Sequence, residues 1–352
     1  QQWRVSRMSL TPKTPIPTGA VRYNTDSNKM EVYIGSTWME VSVSSPNLDG
    51  GVRALFALGR VSAPNFSNII EFVTTATNGN SSDFGDLTDP RGMGGAFASN
   101  VFGYFQGGQS SGGTSPINRS DRVTIASTGN ATDSGNMQAN LMASVGLSNA
   151  TRGIDAGGSN PSGKQDQIGF ITMSSGGDFV DFGNLVANNM AQGAVASPTR
   201  GIMTGGRVSD PAGFTNVMQF ITIGTLGNAT DFGDLTVAQA YQTGCSNPIR
   251  GVLSGGYSPS PSSYTTTSLI ESVQIATLGN AMDYADLVAA TNTMRAASTP
   301  TRGFFAGGNT GSQTNTIQFI SFQTSGTATD FGDLQNTADE LQGGCSNGHG
   351  GL

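Results

Sequence analysis

Short runs in which apolar and polar residues alternate recur along the chain, as at residues 217–223 and 317–322. Strand side chains point to opposite faces in turn, so a period of two predicts half-buried β-strands. Each alternating run is the third of four strand candidates in a unit. Before it stands an RGxxxGG-like run, and before that a small-residue stretch: GGAFAS, SVGLS, GAVAS, TGCS, AAS or GGCS. After it comes a DFGDL-like phrase, at 83–87, 133–137, 181–185, 231–235, 283–287 and 330–334. Gly129–Asn130, Gly227–Asn228 and Gly279–Asn280 precede that phrase and mark hairpin turns, because Gly and Asn tolerate positive φ. The glycine closing each RGxxxGG-like run falls at 59, 108, 158, 206, 256 and 308, a spacing of 48 to 52 residues.

Four strands per unit, repeated six times, predict an all-β fold: a six-bladed β-propeller over residues 53–352. Six innermost strands would crowd one axis, and only small residues permit that approach. The first unit begins at Arg53 without its small-residue strand, and the chain ends just after a spare one. Residues 341–346 are therefore expected to complete the first blade alongside residues 53–59. The pattern of a hydrophobic run followed by Gly-Gly resembles kelch-type propellers, at Gly107/Gly108, Gly157/Gly158, Gly205/Gly206, Gly255/Gly256 and Gly307/Gly308, with Leu58–Gly59 in the first unit. The Tyr and Trp that kelch blades carry later are missing, since no Trp follows residue 38, so the likeness is one of layout.

Residues 1–44 differ from the repeat. Strand-like runs at 21–23 and 30–33 flank a hairpin loop at 24–29, a second turn falls at Gly35–Ser36, and both tryptophans, Trp3 and Trp38, are here. So small a β-module buries little core and is expected to pack on a neighbour or on copies of itself. Gly19–Tyr23, Asn24–Asp26, Glu31–Tyr33, Gly35–Ser36, Trp38 and Glu40–Val41 make a phrase that resembles the short β-modules of bacteriophage tail-fibre and appendage proteins. That resemblance implies a virion protein on the particle surface, joined to other virion proteins through residues 1–44, and a homotrimer assembled there. Residues 45–52 read as a linker.

Composition sharpens this picture. Only 12% of the 352 residues are charged, and 50 are glycine. Net charge is −7, split between +2 over residues 1–44 and −9 over the rest. An acidic body repels phosphate backbones, so no nucleic-acid partner is expected. No apolar run reaches the ~20 residues that span a bilayer, so no membrane insertion is expected, and the opening residues show no signal-peptide pattern. Cys245 and Cys345 occupy the same place in units 100 residues apart, so repetition explains both and no disulfide is expected.

Three residue sets could carry chemistry. Asp83/Asp86, Asp231/Asp234, Asp283/Asp286 and Asp330/Asp333 recur at i, i+3. They read either as Ca²⁺ ligands, with Asp231, Asp234, Asp330 and Asp333 as candidates, or as turn residues bonding local backbone. Arg53, Arg152, Arg200, Arg250 and Arg302 open the RGxxxGG-like strands, with Phe102 in the second unit. They read either as a ring for an anion such as a sulfated or carboxylated sugar, or as partners of nearby aspartates. The units differ most in the loop after Gly-Gly, where Phe66, Phe214, Tyr257 and Tyr264 could stack on sugar rings or simply cover the blade tops.

Six near-identical environments do not split the pKa values of a catalytic pair, and the single histidine, His349, sits in the last residues. No phosphate loop is present. The chain is therefore expected to be neither an enzyme nor a cofactor carrier. The expected function is a phage tail-fibre, neck or head-surface appendage that presents variable loops to a host-surface glycan or protein. The alternative is a purely structural virion or surface-layer component that contacts only other subunits.

Overall fold

The computed structural model describes residues 15–25, 29–40, 52–62, 65–110, 115–209, 213–260 and 263–352. The protein is all-β, and no helix occurs among the described residues. It divides into two units, Gln1–Leu48 and Asp49–Leu352.

The smaller unit holds a three-stranded antiparallel meander of Val21–Asn24, Lys29–Ile34 and Thr37–Glu40. Its register sets Val21 opposite Val32 and Val32 opposite Met39, so one face is apolar. The other face carries the ion pairs Arg22–Glu31 at 2.7 Å and Lys29–Glu40 at 2.6 Å. Arg22 also lies 4.2 Å over Trp38, which leans on Tyr33. Trp3 and residues 26–28 of the hairpin loop lie outside the described residues.

The larger unit contains six antiparallel sheets, one per sequence repeat, each with the same four strands; Ser159–Asn160 adds a fifth to the third sheet. Each is ordered small-residue strand, RGxxxGG strand, alternating strand, DFGDL strand. The fourth sheet, for example, runs Gly193–Ala196, Arg200–Thr204, Val217–Thr222, Thr230–Asp234. In the first sheet, Arg53–Ala57 takes its small-residue partner from the C-terminus, with Gly343 opposite Ala57 and Ser346 opposite Ala54.

The six inner strands touch one another in cyclic order. Gly343–Ser346 contacts Gly95–Ala98, contact then passes through Val145–Ser148, Gly193–Ala196, Thr243–Ser246 and Arg295–Ser298, and the last returns to Gly343–Ser346. Residue size sets how close they come. The second position of these strands reads Ala96, Gly146, Ala194, Gly244, Ala296, Gly344 around the cycle. A Cβ on Gly146, Gly244 or Gly344 would lie 2.4, 2.3 or 2.6 Å from the carbonyl oxygen of Ala96, Ala194 or Ala296. Two positions on, serine hydroxyls join the strands: Ser148 Oγ donates to the Ala98 carbonyl at 2.7 Å, Ser246 to Ala196 at 2.7 Å and Ser298 to Ser246 at 2.8 Å.

Each seam between consecutive sheets holds its own apolar cluster. The seam between the sixth and first sheets is built from Phe304, Ile317 and Phe331 against Phe56, all buried. A fully buried side chain of this size contributes about 1.5–3 kcal/mol, and every seam has several. At the outer strands the turn of one sheet clasps its predecessor. Gly129 N–H donates to the Phe84 carbonyl and Ala131 N–H to that of Asp86; Gly79 and Ser81 do the same to Phe331 and Asp333, across the junction of the chain's two ends.

Two stability predictions follow from these contacts. Deleting residues 340–352 strips the first sheet of its inner strand and is expected to lower the melting temperature sharply; an unchanged thermal melt contradicts the role of that strand. Gly244→Ala forces a methyl against the Ala194 carbonyl and is expected to cost about 1–3 kcal/mol in a urea titration, whereas Ala194→Gly is expected to cost less.

Candidate functional site

Among the described residues, six non-glycine residues adopt left-handed backbone conformations, with φ between 47° and 59°: Met93, Ala143, Ala191, Tyr241, Thr293 and Glu340. Each stands just before an inner strand, one per sheet. Such a conformation costs about 1–2 kcal/mol for an L-residue, so something must hold it. What holds it is a relay of backbone hydrogen bonds from sheet to sheet. Met93 N–H donates to the Glu340 carbonyl at 3.0 Å, Ala143 to Met93 at 2.6 Å, Ala191 to Ala143 at 2.8 Å, Tyr241 to Ala191 at 2.8 Å and Thr293 to Tyr241 at 3.3 Å. The relay rims a cavity of about 70 Å³ to which all six inner strands contribute.

A larger cavity, of about 350 Å³, adjoins it and shares Met93, Tyr241, Thr293 and Glu340 with it. Phe214, Tyr257 and Tyr264 line this larger cavity. They come from two hairpins that follow Gly-Gly in the fourth and fifth units, Arg207–Ser209 with Gly213–Phe214 and Tyr257–Ser260 with Ser263–Thr266. The ring centroids of Tyr257 and Tyr264 are 4.7 Å apart, those of Phe214 and Tyr264 6.1 Å, and those of Tyr241 and Tyr257 5.9 Å. Phe66 stands apart: it is half-buried and its ring crowds Gly92.

Charged groups complete the larger cavity. Arg60 grips Asp339 with two bonds of 2.9 Å and reaches Glu340 at 3.2 Å. Asn309 and Gln313 also donate to Asp339, each at 2.9 Å. Burial works against the Asp339 carboxylate, but these three donors together hold its pKa below the ordinary value. Burial raises Glu340, against the pull of Arg60. Tyr241 and Tyr257 are raised too, chiefly by burial, and Arg207 hydrogen-bonds Tyr241. The cavity thus combines aromatic faces with fixed donors and acceptors, the combination that orients a polyhydroxylated ring.

The five repeat arginines do other work. Arg53, Arg152, Arg200 and Arg250 donate to the carbonyls of Ile125, Ile223, Ile275 and Phe322, each in the next sheet, at 2.6–3.0 Å. Each guanidinium also covers a ring of its own sheet at 4.5–5.0 Å: Phe72, Phe170, Phe220 and Tyr284. Arg302 lies 4.8 Å over Phe319. Pairing with aspartate is not what occupies them, and an anion ring would have to strip these contacts from the seams. In the second unit, where Phe102 replaces the arginine, the Tyr104 hydroxyl donates to the corresponding carbonyl, that of Met173.

The paired aspartates lie on the outermost strands. Asp231 and Asp330 are exposed, and Asp234 and Asp333 are half-buried with their backbone N–H groups held by Asn280 and Asn80 of the adjoining sheets. Among the described residues no three His, Cys, Asp or Glu side chains come close enough to share a metal ion. Cys245 and Cys345 are free and buried, and burial pushes the Cys345 thiol up to about 12. His349 is half-buried at the other end of the inner ring, where its Nε2 lies 2.7 Å from the Ala98 carbonyl, and desolvation lowers it to about 4.

Tyr241, Arg60, Arg207, Asp339 and Glu340 were not among the residues singled out by sequence. Their signal was weak: at this repeat position Tyr241 and Glu340 differ from Ala143 and Ala191, but so do Met93 and Thr293.

A comparison with protein-family models returns no match, and neither does one with curated protein sequences.

One buried carboxyl gives a pH prediction. Asp155 accepts hydrogen bonds from Ser144 at 2.9 Å and Gln106 at 3.3 Å, and burial raises it from an ordinary 3.8 to about 7. A folded-state pKa above the unfolded one means that the fold favours the protonated acid. This group therefore contributes stability near pH 4 that is lost as pH rises through 7. Asp155→Asn is expected to raise the melting temperature at pH 8 and leave it nearly unchanged at pH 4, as read by circular dichroism melts at both pH values.

Proposed function

We propose that this protein is a phage-type virion appendage protein that binds a host-surface glycan, without covalent chemistry, in the cavity formed by Phe214, Tyr241, Tyr257 and Tyr264. Its larger unit is a six-bladed, kelch-like β-propeller, and residues 1–44 join it to other virion proteins. The propeller reading is supported by the six repeated sheets, the cyclic order of their inner strands and the C-terminal strand paired beside Arg53–Ala57. The virion reading rests on the resemblance carried by residues 19–41. The binding reading rests on one observation: three variable-loop aromatics from two hairpins meet in a single cavity with Arg60, Asp339 and Glu340. Aromatic faces take the apolar side of a sugar ring, while guanidinium, carboxyl and amide groups orient its hydroxyls.

Scaffold and binding surface divide along the repeat. The residues that recur hold the seams, and the cavity is built where the copies differ.

A glycan array probed with the full chain tests this. Binding to a defined host-surface glycan is expected, and Tyr264→Ala is expected to weaken it about tenfold or more, equivalent to about 1.4 kcal/mol. Tyr264 is 50% exposed, so the same variant is expected to leave the melting temperature unchanged. Binding that survives Tyr264→Ala at full strength removes the cavity as the site.

A further inference from the structure

The first residue of the inner strands is Gly95, Val145, Gly193, Thr243 and Gly343 in five sheets, and Arg295 in the sixth. Five sheets therefore close the ring without a charge at this position, so the scaffold does not require one. Arg295 crosses the cavity mouth: it reaches past the inner strand of the first sheet to the second, where Nη2 donates to the Gly94 carbonyl at 3.2 Å. Its Nη1 donates to the Met294 carbonyl at 3.1 Å. Among the described residues no carboxylate lies within ion-pair distance of it. A guanidinium has five N–H donors, and Arg295, which is half-buried, spends two of them on these carbonyls. Burial lowers its pKa to about 10, which leaves it cationic at neutral pH.

A second group faces the same cavity. Gln192 is 6% exposed and lines the mouth, and neither its amide oxygen nor its amide nitrogen has a hydrogen-bond partner. Native structures rarely leave both ends of a buried amide unpaired. The mouth therefore presents an unpaired cation and an unpaired amide in a space of about 70 Å³, room for a small anionic group and a little water. The nearest carboxyl in charge terms is Glu340, and it is engaged by Arg60. Because the mouth shares Met93, Tyr241, Thr293 and Glu340 with the tyrosine-lined cavity, one ligand can occupy both.

We propose that Arg295 and Gln192 form a carboxylate subsite at the mouth of the inner-strand ring, so that the glycan bound here is an acidic sugar. The carboxylate takes the free N–H donors of Arg295 and the amide nitrogen of Gln192, while the sugar ring lies against Tyr241, Tyr257 and Tyr264. This inference rests on the glycan reading above and narrows it to carboxylate-bearing sugars. It also moves the anion site away from the five repeat arginines, whose guanidiniums serve the seams.

The test compares matched pairs on the full chain by titration calorimetry: methyl galacturonoside against methyl galactoside, and methyl glucuronoside against methyl glucoside. Each pair differs only in carboxylate against hydroxymethyl. The wild-type protein is expected to bind at least one acid about tenfold or more tighter than its neutral partner, with the preference falling as salt is raised. Arg295→Thr borrows the residue that the fifth sheet carries at this position; it is expected to keep the melting temperature and to abolish the acid preference. Tyr264→Ala is expected to weaken acid and neutral sugar alike. Neutral sugars bound as tightly as acids, or an acid preference that survives Arg295→Thr, overturns the carboxylate subsite and leaves the glycan cavity standing. Binding of neither member of any pair overturns both.

Discussion

Three carbonyl oxygens, those of Ala96, Ala194 and Ala296, lie where a Cβ of the facing Gly146, Gly244 or Gly344 would have to be. Most of the larger unit depends on this approach. Because glycine alternates with alanine around the ring, six inner strands come close enough for serine hydroxyls to reach the carbonyls of the preceding strand. The bulk excluded from the inner ring is placed in the seams, where Phe56, Phe304 and Phe331 and their counterparts fill the space between sheets. The C-terminal strand belongs to the same constraint, because a ring of five inner strands would leave Arg53–Ala57 without its partner.

The same kinds of bond recur between neighbouring sheets, at more than one strand. Serines act at the inner strands, arginine on a neighbouring carbonyl farther out, and turn N–H groups clasp the outermost strand. The second unit shows that the bond matters more than the residue, since Tyr104 supplies it where the arginine is absent. Such repetition leaves little freedom in the scaffold. Variation collects in the hairpins after Gly-Gly and at the left-handed positions beside the ring, and those two sets of residues enclose the cavities.

The all-β class, the four strands of each unit and the special character of the small-residue strand were legible because each is written in local pattern: a period of two, a repeated turn, a run of small side chains. The site was legible only in part. Phe214, Tyr257 and Tyr264 stood out as aromatics in loops that differ between copies, and they meet in space; Phe66 carried the same signal and lies elsewhere. The repeated arginines read from sequence either as an anion ring or as partners of aspartates; four of them donate to carbonyls about 70 residues away that only the neighbouring sheet supplies. Arg295 broke the small-residue pattern in plain view, but a missing counter-charge is a property of surroundings.

The sequence by itself determined the repeat, the strand order within each sheet and the inner position of the small-residue strands, because backbone alternation and steric size act between near neighbours in the chain. Tertiary structure alone decided which sheet each arginine serves, which loops share a cavity, and that Arg295 crosses the mouth to Gly94 with Gln192 lining the same space. Those facts depend on distances between residues as many as 201 positions apart. Such distances are set by the ring as a whole and leave no periodic trace in the chain.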